Sequence, residues 1–416
     1  MLSCPHRPPC SACPRFAEPG VAAAPLLRLE ALARAHGIAE VPVISGASSA
    51  FRHRARLAIR GRLGAPKIGL FELGTHRVVH VPSCVVHHPL INRVAAAVRR
   101  AMVDARLTTY SETAHLGVAR YLQVVVERRS QTAQVVLIVN ADPADTASSA
   151  YEPISTASAS PRDSLRACLE HIRAELGAEL HSLWLNFNRG RGNAILGAEF
   201  RRWSGPETVV ERFGGAEIHY PPGAFGQNNL DIAERIVGHV RERVPGGARV
   251  AEYYAGVGAI GLSVLNEVGE IRMNEISPHS LAGLERGLAA LDPRDRAKAT
   301  VVAGPASAAL DAMSAADVIV ADPPRKGLDT ELADAIAARP PGRLIYVSCG
   351  LDSFLADADR LTASGGLRLT DLTAFNLLPF TEHVETLACF DRARGAPVGR
   401  RYARPQPLMS KRILKE

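Results

Sequence analysis

The chain has 416 residues, 47% of them apolar and 22% charged, with a net charge of +7. That balance excludes a disordered chain and supports a buried core spread over two or three domains. No apolar run approaches the ~18–20 residues of a membrane span, and residues 1–20 lack a secretory apolar stretch, so a cytoplasmic chain with no membrane partner is expected.

A Cys- and Pro-rich leader (1–20) precedes a short helical pattern at 26–35. Strand-like alternation follows at 51–60, 67–73 and 77–81, then a helix at 90–104, then strands at 121–127, 132–139, 181–187 and 193–197. Residues 141–164, rich in Ala, Ser, Thr, Pro and Asp, read as an exposed loop before a helix at 165–177. This pattern predicts a central α+β domain over 21–218.

From residue 219 helices and strands alternate. Helices are predicted at 229–244, 278–290, 331–338 and 352–363. Strands are predicted at 249–254, at 300–302, at 318–321, at 343–348 and up to Glu275, with a closing pair at 367–378 and 383–392. Repeating βα units predict an α/β doubly wound sheet over 219–395. The antiparallel last pair is typical of class I, Rossmann-like methyltransferase sheets. A basic tail (396–416) follows.

Charge divides along the same lines. Residues 1–218 carry 26 Lys and Arg against 18 Asp and Glu, residues 219–395 carry 17 against 23, and residues 396–416 carry 6 against 1. A basic front and tail around an acidic body predicts one part that binds a polyanion and another that performs chemistry.

Four strand ends bear on that chemistry. Gly256-Val257-Gly258-Ala259-Ile260-Gly261 follows a strand and opens a helix, where free N–H groups and close backbone approach suit a cofactor. Glu275, 19 residues after Gly256 at the next strand end, is placed to hold a ribose diol. The turn alone fits NAD, FAD or S-adenosylmethionine. Asp322-Pro323-Pro324-Arg325 leaves a third strand in a stiff loop, and Cys349 leaves a fourth, placed as a nucleophile. Cys168 and Cys389 sit in apolar patterns and read as core. Cys4, Cys10 and Cys13, with Cys84 downstream, supply four thiolates for Zn²⁺ or a [4Fe–4S] cluster, without choosing between them.

In order and spacing these segments resemble the S-adenosylmethionine-dependent RNA uracil-C5 methyltransferases. The resemblance covers most of the chain. It includes the four cysteines, Phe225-x-Gln227-x-Asn229, Tyr254-Ala255-Gly256-Val257-Gly258, Asn274-Glu275-Ile276-Ser277 and Asp322-Pro323-Pro324-Arg325. It continues through Tyr346-Val347-Ser348-Cys349 and Phe380-Thr381-Glu382-His383-Val384-Glu385-Thr386. It implies that Cys349 is the nucleophile and Glu385 the base, and that Gln227, Tyr254, Gly256, Glu275 and Asp322 bind S-adenosyl-L-methionine. It also implies that Cys4, Cys10, Cys13 and Cys84 hold a [4Fe–4S] cluster, and that RNA is the partner of a monomeric chain.

The cluster-bearing branch acts on 23S ribosomal RNA or on tRNA. Members often begin with a small RNA-binding barrel, which is not expected here, with cysteines from residue 4. After the nucleophile the family usually reads Asn-Pro, against Gly350-Leu351-Asp352 here, which points to an altered substrate pocket. An NAD-dependent dehydrogenase would leave Cys349, Glu385 and the four thiols without a role. A non-catalytic RNA-binding paralogue would leave Cys349 and Glu385 without one.

Overall fold

Apolar alternation in the front half and unbroken apolar runs in the back half give two sheets of different kinds. The computed structural model describes residues 2–146, 160–393 and 395; the basic tail and most of the expected exposed loop lie outside them. Helix α1 (Ala23–Ala35) and strand β1 (Val43–Ile44) come first. The front sheet then contains β2 (Arg54–Arg62), β3 (Ala65–Phe71), β4 (Val78–His80), β5 (Ala119–Glu127), β6 (Thr132–Val139), β7 (Leu180–Phe187) and β8 (Glu199–Ser204), in the order β4-β3-β2-β5-β6-β7-β8. Helix α2 (Pro89–Asp104) leads into β5, and α3 (Pro161–Leu176) makes the crossover between the parallel neighbours β6 and β7. Both helices cover one face, on which Leu57, Ile59, Val135 and Leu137 lie; Tyr121, Val136, Ile138 and Trp184 lie on the other, as a period of two requires.

A hairpin, β9 (Val209–Phe213) and β10 (Ala216–Tyr220), precedes the second sheet. Then come α4 (Leu230–Arg243), β11 (Arg249–Tyr253), α5 (Gly261–Val264), β12 (Glu270–Glu275), α6 (Pro278–Ala289), α7 (Pro293–Arg296) and β13 (Ala299–Ala303). The chain closes with β14 (Val318–Ala321), α8 (Thr330–Ala338), β15 (Arg343–Ser348), α9 (Leu351–Thr362), β16 (Leu367–Phe375) and β17 (Glu385–Arg392). The order is β1-β16-β17-β15-β14-β11-β12-β13, with β11 to β15 parallel and β17 antiparallel to both neighbours. Val318 and Val320 enter the core on one face while Ile319 and Ala321 enter that on the other. A strand buried on both faces reads as a continuous apolar run.

The packing departs from the sequence-based partition in three places. Residues 21–44 were assigned to the central domain, yet Leu29, Ala33 and Val41 join the core around β16, and β1 pairs with β16. The 209–220 hairpin, also assigned to the front, joins the second core through Val209, Phe213 and Ile218. The expected strand at 193–197 is instead a series of bends. Asn188 donates to the Ala194 and Ile195 carbonyls, and Asn186 brackets Gly197, donating to its carbonyl and accepting from its N–H. Side-chain amides take the backbone groups that a ladder would need. Among the described residues no helix is long and apolar enough to cross a membrane.

Candidate active site

Tyr254 follows β11 with a φ of +60°, and Gly256 and Gly258 come next at +59° and +84°. This left-handed path turns the backbone N–H groups toward the sheet rim. The Glu275 carboxylate accepts from the N–H groups of Gly256 (2.7 Å), Ile276 (2.8 Å) and Ser277 (2.6 Å), tying the turn to the end of β12. A carboxylate has about four acceptor positions, so one remains for a ligand. Tyr254 and Glu275, with Asn274, Pro324 and Asp329, line a cavity of about 560 Å³, the size of a cofactor site. The Tyr254 hydroxyl accepts from the Asp329 N–H at 3.0 Å, which steadies the ring over the cavity wall.

A carboxyl that the sequence reading missed lies beneath this turn. Glu252 is buried in β11, accepts from the Gly261 N–H at 3.3 Å through Oε1, and leaves Oε2 without a partner. Burial, then Asp322 and Glu275, push its pKa up to about 8. Its signal was a lone acid inside an apolar strand just before a Gly-rich turn. Desolvation pushes Asp322 up to about 7. Glu252 lies within electrostatic reach of both Asp322 and Glu275, so a cation bound at this rim would favour the ionised forms of Glu252 and Asp322.

The β15–β17 register brings the other chemistry alongside. Ser348 pairs with Thr386, so the next residues outward are Cys349 and Glu385. Cys349 is half-buried; desolvation, then Glu385 and Asp322, push its thiol up to about 11, while Arg325 opposes them. Glu385 is buried with Oε1 unpartnered, and desolvation followed by Asp322 raises it well above the carboxylate range, again against Arg325. Asp322 therefore faces both the Gly-rich turn and the Cys–Glu pair. Arg325, which closes the Asp322-Pro323-Pro324-Arg325 motif and was given no role from sequence, is the cation that Cys349 and Glu385 share.

Gln227 stands apart from the 560 Å³ cavity and lines a small pocket with His53, Arg54, Glu211 and Tyr220. Its loop is gripped by the front sheet. Arg54 donates to the Ala224 carbonyl (2.7 Å), Gln123 to the Pro222 carbonyl (2.8 Å), and the His53 N–H to the Asn228 carbonyl (2.8 Å). Phe225 in the same loop remains 68% exposed.

Cys4, Cys10, Cys13 and Cys84 line one cavity of about 140 Å³, together with Arg52 and His87. Burial, then Cys84, pushes the Cys13 thiol up to about 11, with Arg52 opposing. Burial also raises the Cys84 thiol. Among the described residues no three His, Cys, Asp or Glu side chains converge on a single ion.

Residues 307–392 match the family model of tRNA (uracil-5-)-methyltransferases. An uncharacterized RNA methyltransferase of Protochlamydia amoebophila is 34% identical over 395 residues, covering 94% of this chain and 98% of that protein. An uncharacterized RNA methyltransferase of Geobacter sulfurreducens is 27% identical over 344 residues, 81% of this chain and 65% of that longer relative. Among solved structures, the Pyrococcus abyssi tRNA (uracil-54, C5)-methyltransferase in complex with S-adenosyl-L-homocysteine superposes with a TM-score of 0.66 at 20% identity, over 88% of this chain and 83% of that one. That likeness establishes the class I methyltransferase fold. The near full-length relative places the chain in the RNA methyltransferase family, and its residues 307–392 carry the match to the (uracil-5-)-methyltransferase model.

Proposed function

We infer that this chain methylates C5 of a uracil in structured RNA, with Cys349 as nucleophile and Glu385 as base. The observation that carries the reading is the β15–β17 register, which brings a thiol and a buried, unpartnered carboxyl to one rim beside the Gly-rich turn. Tyr254, Gly256, Glu275 and Asp322 hold S-adenosyl-L-methionine, which supplies an electrophilic methyl on a sulfonium cation. Gln227 reaches that site only if its loop shifts on binding.

Uracil C5 is a poor nucleophile until something adds at C6. Cys349, having given up its thiol proton to solvent, would add there through sulfur and send an electron pair to O4 as an enolate. C5 would then take the methyl as the methyl's bond to the sulfonium sulfur breaks, leaving S-adenosyl-L-homocysteine. Glu385 removes the C5 proton, the C6–S bond breaks, and Cys349 is released. Arg325 offsets the negative charge on the thiol side. The base must leave its stack to reach the rim, and exposed Phe225 offers a surface to pack against it.

The RNA we propose is 23S ribosomal RNA, bound by a monomeric, cytoplasmic chain. The matched family's description favours a second reading, tRNA. Mapping 5-methyluridine in RNA from cells with and without the gene separates the two. The reading of the four cysteines as ligands of a [4Fe–4S] cluster is supported by their lining one cavity, with Arg52 beside Cys13 and Cys84 to offset its charge; binding would have to draw the thiols together. Anaerobically purified protein should be brown with about four irons per chain; stoichiometric zinc without iron would overturn this.

The mechanism is tested by contrasting two variants. Cys349→Ala should give neither methylated RNA nor covalent adduct. Glu385→Gln should permit addition and methyl transfer but block loss of the C5 proton, leaving a methylated RNA–protein band that survives a denaturing gel. Full methylation by Cys349→Ala would end the proposal.

A further inference from the structure

The leader that carries three of the cysteines also grips the segment between β16 and β17. The Arg15 N–H donates to the Phe380 carbonyl at 3.0 Å, its Nη1 donates to the Thr381 carbonyl at 3.3 Å, and its Nε lies 3.6 Å from the Glu382 carboxylate. The same guanidinium bonds Glu18 (2.9 Å) and the Gly20 carbonyl (3.2 Å), which stiffens the leader around it. The Phe16 ring packs against Phe380 with centroids 5.1 Å apart, and the Asn376 amide donates to the Pro19 carbonyl. These contacts all fall within 376–382, and β17 opens three residues later on Glu385.

The segment needs such a hold. Phe380 is 1% exposed and has a φ of +68°, a conformation aromatic residues rarely adopt, which persists only where the surroundings impose it. Phe16 covers its ring and Arg15 takes its carbonyl. Phe375 and Glu385 face each other across β16 and β17, so residues 376–384 form the loop that determines where β17 begins. Glu385 Oε1 has no hydrogen-bond partner, so no bond at that oxygen fixes the carboxylate, and the backbone that carries it matters the more.

We propose that Arg15 is a positioning residue for Glu385: through Phe380 and Thr381 it holds the loop that places the carboxylate abreast of Cys349. The inference rests on the reading of Glu385 as the base. It also links the thiol cavity to the loop before Glu385, because Cys13 is two residues from Arg15. Addition by Cys349 and methyl transfer do not use Glu385, so the step that should suffer is loss of the C5 proton.

Full-length Arg15→Gln and Arg15→Lys are compared with the wild type and Glu385→Gln, using methyl-labelled S-adenosylmethionine and unmodified ribosomal and transfer RNA transcripts. Arg15→Gln should lower kcat by about tenfold or more, leave KM for S-adenosylmethionine within about twofold, and accumulate the methylated covalent adduct. Arg15→Lys should recover part of the turnover. Independently of activity, amide hydrogen exchange over 376–386 should accelerate in Arg15→Gln while β11 to β13 keep their protection. Unchanged exchange over 376–386 overturns the proposal, as does faster exchange throughout both sheets or joint loss of cofactor binding and turnover, which marks a general folding defect. Adduct with Glu385→Gln but normal release with Arg15→Gln also overturns it. Absence of adduct from Glu385→Gln itself, with exchange altered as expected, overturns the assigned base instead.

Discussion

Cys349 sits in the resting protein as a thiol, not a thiolate. Burial, Glu385 and Asp322 hold its pKa at about 11, against the opposing Arg325. Its alkylation by iodoacetamide, read at the peptide level, should therefore rise about tenfold per pH unit through pH 7–9 with no plateau in that range. Adding S-adenosylmethionine should speed it at fixed pH, because a nearby cation favours the charged form. A plateau near pH 7 without cofactor would show a thiol already ionised and contradict the environment described. The rim position of Cys349 was readable from sequence because the residue ends an apolar strand, whereas Glu385 in isolation reads as a solvated strand residue and gained a role only from the resemblance. Glu252 and Arg325 were not readable, since a buried acid and a loop arginine acquire meaning only from the carboxyls and the thiol around them.

Asn229 joins two elements through one side chain. Its Oδ1 accepts from the Ile232 N–H to cap α4, and its Nδ2 donates to the Leu377 carbonyl at 3.1 Å, in the loop that leads to Glu385. Asn229→Ala removes both bonds and should destabilise the fold by about 1–2 kcal/mol, the usual cost of a lost cap. Urea unfolding checks this, and an unchanged midpoint would mean that water replaces both partners. Most elements were legible from their periods: the runs at β14 and β15 and the alternation of β2, β5 and β6 are strong signals. The 193–197 strand was not, because Asn186 and Asn188 intercept its backbone from outside the window. Helix α3 starts at Pro161, inside the expected loop, where Ser160 and Asp163 form a capping box.

Across the whole molecule, charge is divided between a basic front and tail and an acidic catalytic body. Residues 219–395 alone would lack α1, β1, β9 and most of β10, which complete their core, so RNA binding is best compared between the full chain and one ending at residue 395. Both should bind RNA with steep salt dependence. Removing the tail should flatten the slope by about 0.7–0.9 for each phosphate contact the tail supplies. Equal slopes and affinities would remove the tail from the RNA-binding surface.

Sequence by itself determined the doubly wound sheet, the Gly-rich turn with Glu275, the rim positions of Asp322 and Cys349, and the grouping of four cysteines. These follow from local periodicity and short-range spacing, which a chain carries wherever its parts end up. Only the tertiary structure decided that residues 21–44 complete the C-terminal sheet, that Glu385 stands abreast of Cys349, and that Arg15 reaches 366 residues along the chain to hold the loop before it. Such contacts depend on strand order, register and the burial of a few polar groups, and no local pattern encodes them.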